Sequence, residues 1–223
     1  MINKLVWKSL ALICLLIILN IMILNLQASN NDNAKDDIKK KFAEGQDILK
    51  ELNKGNIDNK IEQLKKLKEK YKDEECTIYY SLLLCLLYKA YGEYYPEKTD
   101  FFKTDRENLV SYGLKTYEKL LKEDRIVSPY TYEHAYKFYL ALKDYDGALG
   151  VANNFKKKVM KEQPDLTDKA DFLIVQAYIY KKDFDKSEEI IANMPDGFNK
   201  KRLQEMLKRE KKTEKKEQKY TPN

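Results

Sequence analysis

The single histidine is the first residue whose type could do chemistry. His134 lies in Tyr-Glu-His-Ala-Tyr, inside a segment with helical periodicity. A catalytic histidine needs a nucleophile to activate, and a zinc site needs further histidines or cysteines at ligand spacing. The sequence offers His134 no nearby serine nucleophile and no such ligands. We therefore expect a packed or surface histidine there, without a catalytic or metal-binding role.

Glycines and paired carboxylates are the next residue types that could take part in ligand binding or catalysis. Gly147 and Gly150 lie within a helical pattern, and no strand precedes them, so they do not form a phosphate-binding loop. The carboxylate pairs Asp36-Asp37 and Glu188-Glu189 lie on charged faces or near helix starts, where solvation or the helix dipole explains them. The sequence therefore predicts a protein that is not an enzyme and carries no cofactor.

Two of the three cysteines are nine residues apart in one apolar segment. If Cys76 and Cys85 lie on one helix, a rise of about 1.5 Å per residue separates them by roughly 13 Å. A disulfide needs Cα atoms within about 7 Å, and this spacing also fails to provide a metal site. We expect both to be buried core cysteines.

The basic charge of the chain is confined to its C-terminus. The net charge is +6, and the residues from Lys200 onward carry 10 Lys and Arg against 4 Glu, so the remainder is balanced. Positive and negative residues alternate in this tail, which favours a solvated helix over a phosphate-binding arm. Nucleic-acid or anionic-lipid binding through the tail is kept as the alternative function.

A long apolar segment near the N-terminus predicts a membrane anchor. Residues 9–26 follow Lys4 and Lys8 and are nearly uncharged, and as a helix they would span about 27 Å, close to a ~30 Å hydrocarbon core. This segment is longer than the apolar core of a signal peptide and lacks a clear cleavage site, although a cleaved secreted form stays open. We expect residues 1–28 to be a signal-anchor, with a cytoplasmic N-terminus and a periplasmic or extracytoplasmic domain.

The rest of the chain reads as helical hairpins, because apolar residues recur at steps of three and four and only 7 Gly and 5 Pro occur. We divide it into a polar spacer (29–37), a helical repeat domain (38–197) and a capping helix with a basic tail (198–223). The turn and cap signals are Gly55-Asn56, the capping box Thr104-x-x-Glu107, Ser128-Pro129, Lys143-Asp144-Tyr145, Lys182-Asp183-Phe184 and Pro195-Asp196-Gly197.

Two hairpins repeat at an interval of 39 residues. The alignment of FYLALKDYDGALGVANNF with IVQAYIYKKDFDKSEEII superposes three pairs: Tyr139 on Tyr178, Tyr145 on Phe184, and Ala148 on Ser187. This pattern resembles the tetratricopeptide repeat family, in which a small residue lies where the paired helices touch. The resemblance implies an all-α protein, four hairpins stacked as a short solenoid, and a last helix that covers the array with Phe198, Leu203, Met206 and Leu207.

The same resemblance implies a concave groove lined by the first helix of each pair. The groove positions are Tyr79, Lys89, Tyr130, Glu133, Lys137, Lys169, Gln176 and Tyr180. Tyrosine and lysine there would suit an extended or helical peptide with acidic and apolar features. The other interpretation is a solvated face that binds nothing specific. We therefore expect a membrane-anchored scaffold for a protein or peptide partner.

Overall fold

A computed structural model of the protein describes residues 32–126 and 128–220. This part of the chain is all-helical, as the sequence predicts, and contains no strand. The chain divides into two compact units, an N-terminal unit that ends at Ser128 and a C-terminal unit that begins at Pro129. The helices are α1 (Asp32–Leu49), α2 (Ile57–Lys70), α3 (Glu74–Tyr94), α4 (Lys103–Lys122), α5 (Pro129–Ala141), α6 (Tyr145–Glu162), α7 (Thr167–Tyr180), α8 (Phe184–Asn193) and α9 (Phe198–Tyr220), with 3-10 turns at Pro96–Lys98 and Pro164–Leu166.

The expected membrane anchor, residues 9–26, lies outside the described residues. Within the described ranges, the length and apolar character needed to cross a bilayer are not combined in any helix. The expected spacer, residues 29–37, is helical from Asp32 onward. Within this helix Asp37 pairs with Lys41, one turn later, at 2.6 Å, which helps to stabilise its N-terminal part.

The connection between α1 and α2 differs from the expected one. The left-handed residue is Glu51 (φ 58°), whereas no glycine in the described chain has a positive φ, so Gly55 does not end the helix. Asn56 precedes α2, but its side chain does not cap that helix. Instead its Oδ1 accepts from the Asn53 amide at 2.9 Å, and its amide group donates to the Glu51 carbonyl. The asparagine side chains therefore stabilise the loop itself.

The predicted capping box at the start of α4 is wrong. Thr104 lies inside the helix, which begins at Lys103 after an N-cap residue, Phe102, that makes no side-chain cap. The Phe102 ring stacks on the ring of Tyr88 with centroids 4.1 Å apart and planes at 6°. Aromatic packing against α3, and not a threonine cap, positions the beginning of this helix.

Helix α3 is the centre of the N-terminal unit and is buried on almost every side. The hydroxyl of Tyr79 donates to the Phe42 carbonyl on α1 at 2.9 Å. A Cβ at Gly45 would lie 2.8 Å from the Tyr80 ring, so only glycine allows α1 to approach α3 this closely. Cys76 and Cys85 are both buried and free, as their spacing predicts.

In the C-terminal unit, α6 packs against both α5 and α7, α8 packs on α7, and α9 packs on α7 and α8. Leu203 and Leu207 of α9 are buried, as a capping helix requires. Phe198 was expected to join them, but its side chain is 78% exposed. It is the first residue of α9, and the stripe that faces the unit begins one turn later.

The turns that end α5 and α7 have the same backbone construction. Lys143 and Lys182, 39 residues apart, are both left-handed, with φ of 58° and 64°. In each turn the following aspartate amide donates back to a tyrosine carbonyl at 3.0 Å, Asp144 to Tyr139 and Asp183 to Tyr178. This is the hydrogen bond that closes a helix C-terminus around a left-handed residue.

The N-termini of the two helices that follow these turns are also equivalent. Asp144 accepts from the Gly147 amide at 2.8 Å, and Asp183 accepts from the Lys186 amide at 3.2 Å, so each aspartate is an N-cap. Ala148 and Ser187, the small residues of the alignment, are both fully buried. The 39-residue repeat seen in the sequence is therefore a structural repeat in the C-terminal unit.

Candidate functional site

Four of the predicted groove residues form one cluster between α5 and α7. Tyr130, Glu133 and Lys137 follow one another along α5 at steps of three and four, so they lie on one stripe of that helix. Glu133 forms an ion pair with Lys169 at the start of α7. The Lys169 ammonium also lies 5.1 Å from the centroid of the Tyr130 ring, within the range of a cation–π contact. We call Glu133, Lys137 and Lys169, with Tyr130, the α5–α7 cluster.

A second contact fixes the two helices relative to each other. The hydroxyl of Tyr136, which is buried, donates to the Leu173 carbonyl of α7 at 2.9 Å. A buried hydroxyl that makes no hydrogen bond destabilises the folded state. This bond therefore favours the alignment of the two helices that the structure shows. The alignment brings the stripe on α5 against the first turn of α7.

Lys137 has a different environment from Lys169. Its side chain is half-buried, and among the described residues no carboxylate lies within ion-pair distance of its Nζ, because Glu133 pairs with Lys169. Burial lowers the pKa of Lys137 to about 8, an effect that Lys169 reinforces and Glu133 opposes. The α5–α7 cluster therefore holds two cations and one anion.

His134 is packed in the same helix. It is buried, and this burial, followed by the neighbouring charges of Lys137 and Lys169, lowers its pKa well below the usual range. The imidazole is therefore neutral at pH 7. Of the packed or surface histidine that the sequence predicts, the structure shows the packed one.

Gln176 and Tyr180 form the second half of the predicted stripe on α7. They are one turn apart on α7, and both are half-buried. The Tyr180 ring stacks on Tyr145 of α6 with centroids 6.0 Å apart and planes at 26°. Tyr180 is thus a rigid aromatic side chain with part of its surface still accessible.

The two predicted groove positions on α3 differ in their burial. Lys89 is exposed, whereas Tyr79 is completely buried. Tyr130 and Glu133 are also buried, at 8% and 2% exposure. We correct the expectation that these three side chains face a partner, because each of them is buried. Partner contact at Lys89, Lys137, Lys169, Gln176 and Tyr180 stays a prediction.

An exposed aromatic side chain in the loop between α3 and α4 was not predicted from the sequence. Phe101 is 71% exposed, and its ring packs edge-on against Phe102, with centroids 4.8 Å apart. Phe102 in turn stacks on the buried Tyr88, so the exposed ring has an ordered support. The two adjacent phenylalanines in this loop were the signal that could have revealed it.

Part of the charge of the basic helix α9 is paired. Lys200 contacts Asp196 at 3.0 Å, and Lys211 contacts Glu188 of α8 at 2.6 Å. Within the described residues, no group of three or more His, Cys, Asp or Glu side chains could hold a metal ion. Two of the described lysines of α9 are therefore paired with nearby carboxylates.

Comparison with known proteins finds no matching family model, no matching curated protein and no matching solved structure.

Proposed function

We propose that the protein is a membrane-anchored scaffold of the tetratricopeptide-like kind, which binds a protein or peptide partner along α5 and α7. The observation that carries this proposal is a row of half-buried polar and aromatic side chains on the first helices of two repeated hairpins. The row consists of Lys137, Lys169, Gln176 and Tyr180.

The repeat supports an extended binding surface. Because the two turns at Lys143 and Lys182 have the same construction, the first helices of the two hairpins occupy equivalent places in the repeat. The hydrogen bond from the Tyr136 hydroxyl to the Leu173 carbonyl joins the two first helices. Neighbouring first helices in stacked hairpins form the continuous surfaces that repeat proteins use for peptides.

The chemistry of the row fits a peptide with an acidic group and an apolar group. Tyr180 is held by Tyr145 and can pack against an apolar side chain with little loss of conformational entropy. Gln176 can pair with a peptide amide, and the lysines can pair with a carboxylate. With residues 9–26 as an anchor, this partner would be bound near a membrane.

Site-specific photo-crosslinking tests the proposal. A photoreactive amino acid at Gln176 of the full-length chain, in its native membrane, should give a discrete protein adduct that resists nuclease. The same amino acid at Lys157, an exposed position on α6 of the same unit, serves as the matched control and should give no such adduct.

Two results would count against the scaffold. Equal labelling from positions 176 and 157 would mean that α7 has no specific partner. Adducts that nuclease removes, and that disappear when residues 200–219 are deleted, would favour the alternative of nucleic-acid binding through α9 and its tail.

A further inference from the structure

We propose that Asp196 and Gly197 form a site of spontaneous covalent modification, at which the aspartate isomerises to isoaspartate. The pair lies in the connection between α8, which ends at Asn193, and α9, which begins at Phe198. This modification is independent of the proposed binding function, because it changes the chain itself and needs no partner.

The chemistry requires only the two residues and water. The amide nitrogen of Gly197 attacks the side-chain carbonyl carbon of Asp196, so that a C–N bond forms, a C–O bond breaks and one water molecule leaves. The product is a five-membered succinimide ring. Water then opens the ring at the side-chain carbonyl, which restores aspartate, or at the main-chain carbonyl, which gives isoaspartate. The net reaction is an isomerisation without oxidation and without a change in mass.

The chain contains a second Asp-Gly pair, Asp146 and Gly147, which the structure protects. Both residues lie in the first turn of α6, and the Gly147 amide donates to Oδ1 of Asp144 at 2.8 Å. The Asp146 carboxylate is held by Lys181 of the neighbouring turn at 2.6 Å. Ring closure at this pair requires the first turn of α6 to unfold, because the helical backbone and the hydrogen bond both fix the attacking nitrogen.

The pair at Asp196 has more conformational freedom. It lies outside the helices, and the Asp196 side chain is 96% exposed. Among the described residues, no acceptor is found for the Gly197 amide. A Cβ placed on Gly197 would meet no atom within 4 Å, so the backbone has room to rearrange. The carboxylate pairs with Lys200 at 3.0 Å, but an ion pair with so exposed a partner contributes little free energy.

Isomerisation at this position changes the beginning of α9. Isoaspartate adds one carbon to the main chain before Gly197 and leaves the free carboxylate directly on Cα. The Gly197 carbonyl accepts from the Lys201 amide at 3.2 Å, which closes the first turn of α9. The Lys200 ammonium joins the Asp196 carboxylate to the Met194 carbonyl after α8, the latter at 2.9 Å. Because both links depend on the position of Asp196, isomerisation should loosen the first turn of α9.

Peptide mapping of the full-length protein in detergent tests the site. After incubation at 37 °C and neutral pH, trypsin releases Asp196 in the peptide 187–200 and Asp146 in the peptide 144–156. Chromatography separates the isoaspartate forms, and fragmentation identifies them. Isoaspartate should accumulate with time at position 196 and stay at the level of an unaged sample at position 146. In urea, where the helices are lost, the two positions should convert at similar rates.

Two glycine variants provide the matched comparison. In Gly197→Ala the added methyl group hinders attack by the amide nitrogen, while the open space around it lets the protein fold as the wild type does. This variant should accumulate several times less isoaspartate at position 196. Gly150→Ala, at an exposed position on α6 that also has no atom within 4 Å of a Cβ, should age like the wild type.

Hydrogen exchange measures the effect on α9. Exchange of the Lys201 amide should become faster in the aged wild type and stay unchanged in the aged Gly197→Ala variant. Unchanged exchange in a sample rich in isoaspartate would overturn the effect on this helix.

The other outcomes test the site itself. Absence of isoaspartate at position 196, or equal amounts at positions 196 and 146 in the folded protein, overturns the assignment. Conversion of Gly197→Ala at the wild-type rate overturns attack by the Gly197 nitrogen. The partner of α5 and α7 is tested separately by the crosslink from position 176.

Discussion

At the scale of single residues, the charge of Lys137 has a cost in stability. Its positive charge is half-buried and unpaired within the described residues, so the folded state is destabilised while the charge is present. Residues with this conflict are expected at binding sites, where a ligand supplies the missing interaction. Periodicity predicted the helix that carries Lys137, but the pairing of Glu133 with Lys169 joins two helices that are separate in sequence and could not be predicted from periodicity.

Lys137→Met should stabilise the protein at pH 7. The folded pKa of Lys137, about 8, lies below its usual 10.5, so the destabilisation is complete below pH 8 and fades as the pH rises toward 10.5. The advantage of the variant should therefore be on the order of 1–2 kcal/mol at pH 7, after a discount for the exposed part of the side chain, and should shrink above pH 8. Thermal unfolding of both proteins in detergent at pH 7 and pH 9.5 measures this difference. An advantage that grows with pH would contradict the assignment.

Ala148 should not tolerate a larger side chain. It is fully buried at the equivalent of Ser187, so Ala148→Leu should cost roughly 1–3 kcal/mol of stability through overpacking. Ala192→Leu, on the exposed face of α8, adds the same atoms without burial and should be nearly neutral. The measurement is the midpoint of thermal unfolding by circular dichroism. Similar midpoints for the two variants would mean that Ala148 is not at a close contact between helices.

At the scale of elements, periodicity and turn residues were sufficient to predict the helices but not the way each helix begins and ends. Apolar residues at steps of three and four mark the buried face of a helix. This pattern stays the same when a helix boundary shifts by one or two residues. A helix cap depends on single atoms. The N-cap position expected for Thr104 is occupied by Phe102, whose ring stacks on Tyr88, a residue distant in sequence. Similarly, the left-handed residue after α1 is Glu51 and not the glycine that favours this conformation.

The two aspartate caps should have similar energetic weight. Asp183→Ala removes the acceptor for the Lys186 amide and should cost about 1 kcal/mol, as should Asp144→Ala. Asp185→Ala removes a carboxylate from the same helix start without removing a cap, and should cost no more than about 0.5 kcal/mol. Unfolding midpoints of the three variants are the measurement. Equal effects of the variants at 183 and 185 would show that charge, and not the cap bond, stabilises α8.

At the scale of the whole molecule, the sequence combines an apolar N-terminal segment with helical units. We expect the full chain to stay in the membrane fraction after extraction with alkaline carbonate, because residues 9–26 are long enough to span the hydrocarbon core. A chain without residues 1–28 should move to the soluble fraction. Release of the full chain by carbonate would mean that this segment does not anchor the protein.

The equivalent turns at Lys143 and Lys182 have a consequence for how such a chain can grow. A copy of residues 144–182 inserted between Lys182 and Asp183 would place a left-handed lysine before a capping aspartate at both new junctions, as in the existing turns. The duplication of one 39-residue segment would thus add a hairpin without any new kind of connection. Gene duplication could therefore lengthen the array by one hairpin at a time while the closing helix α9 is retained.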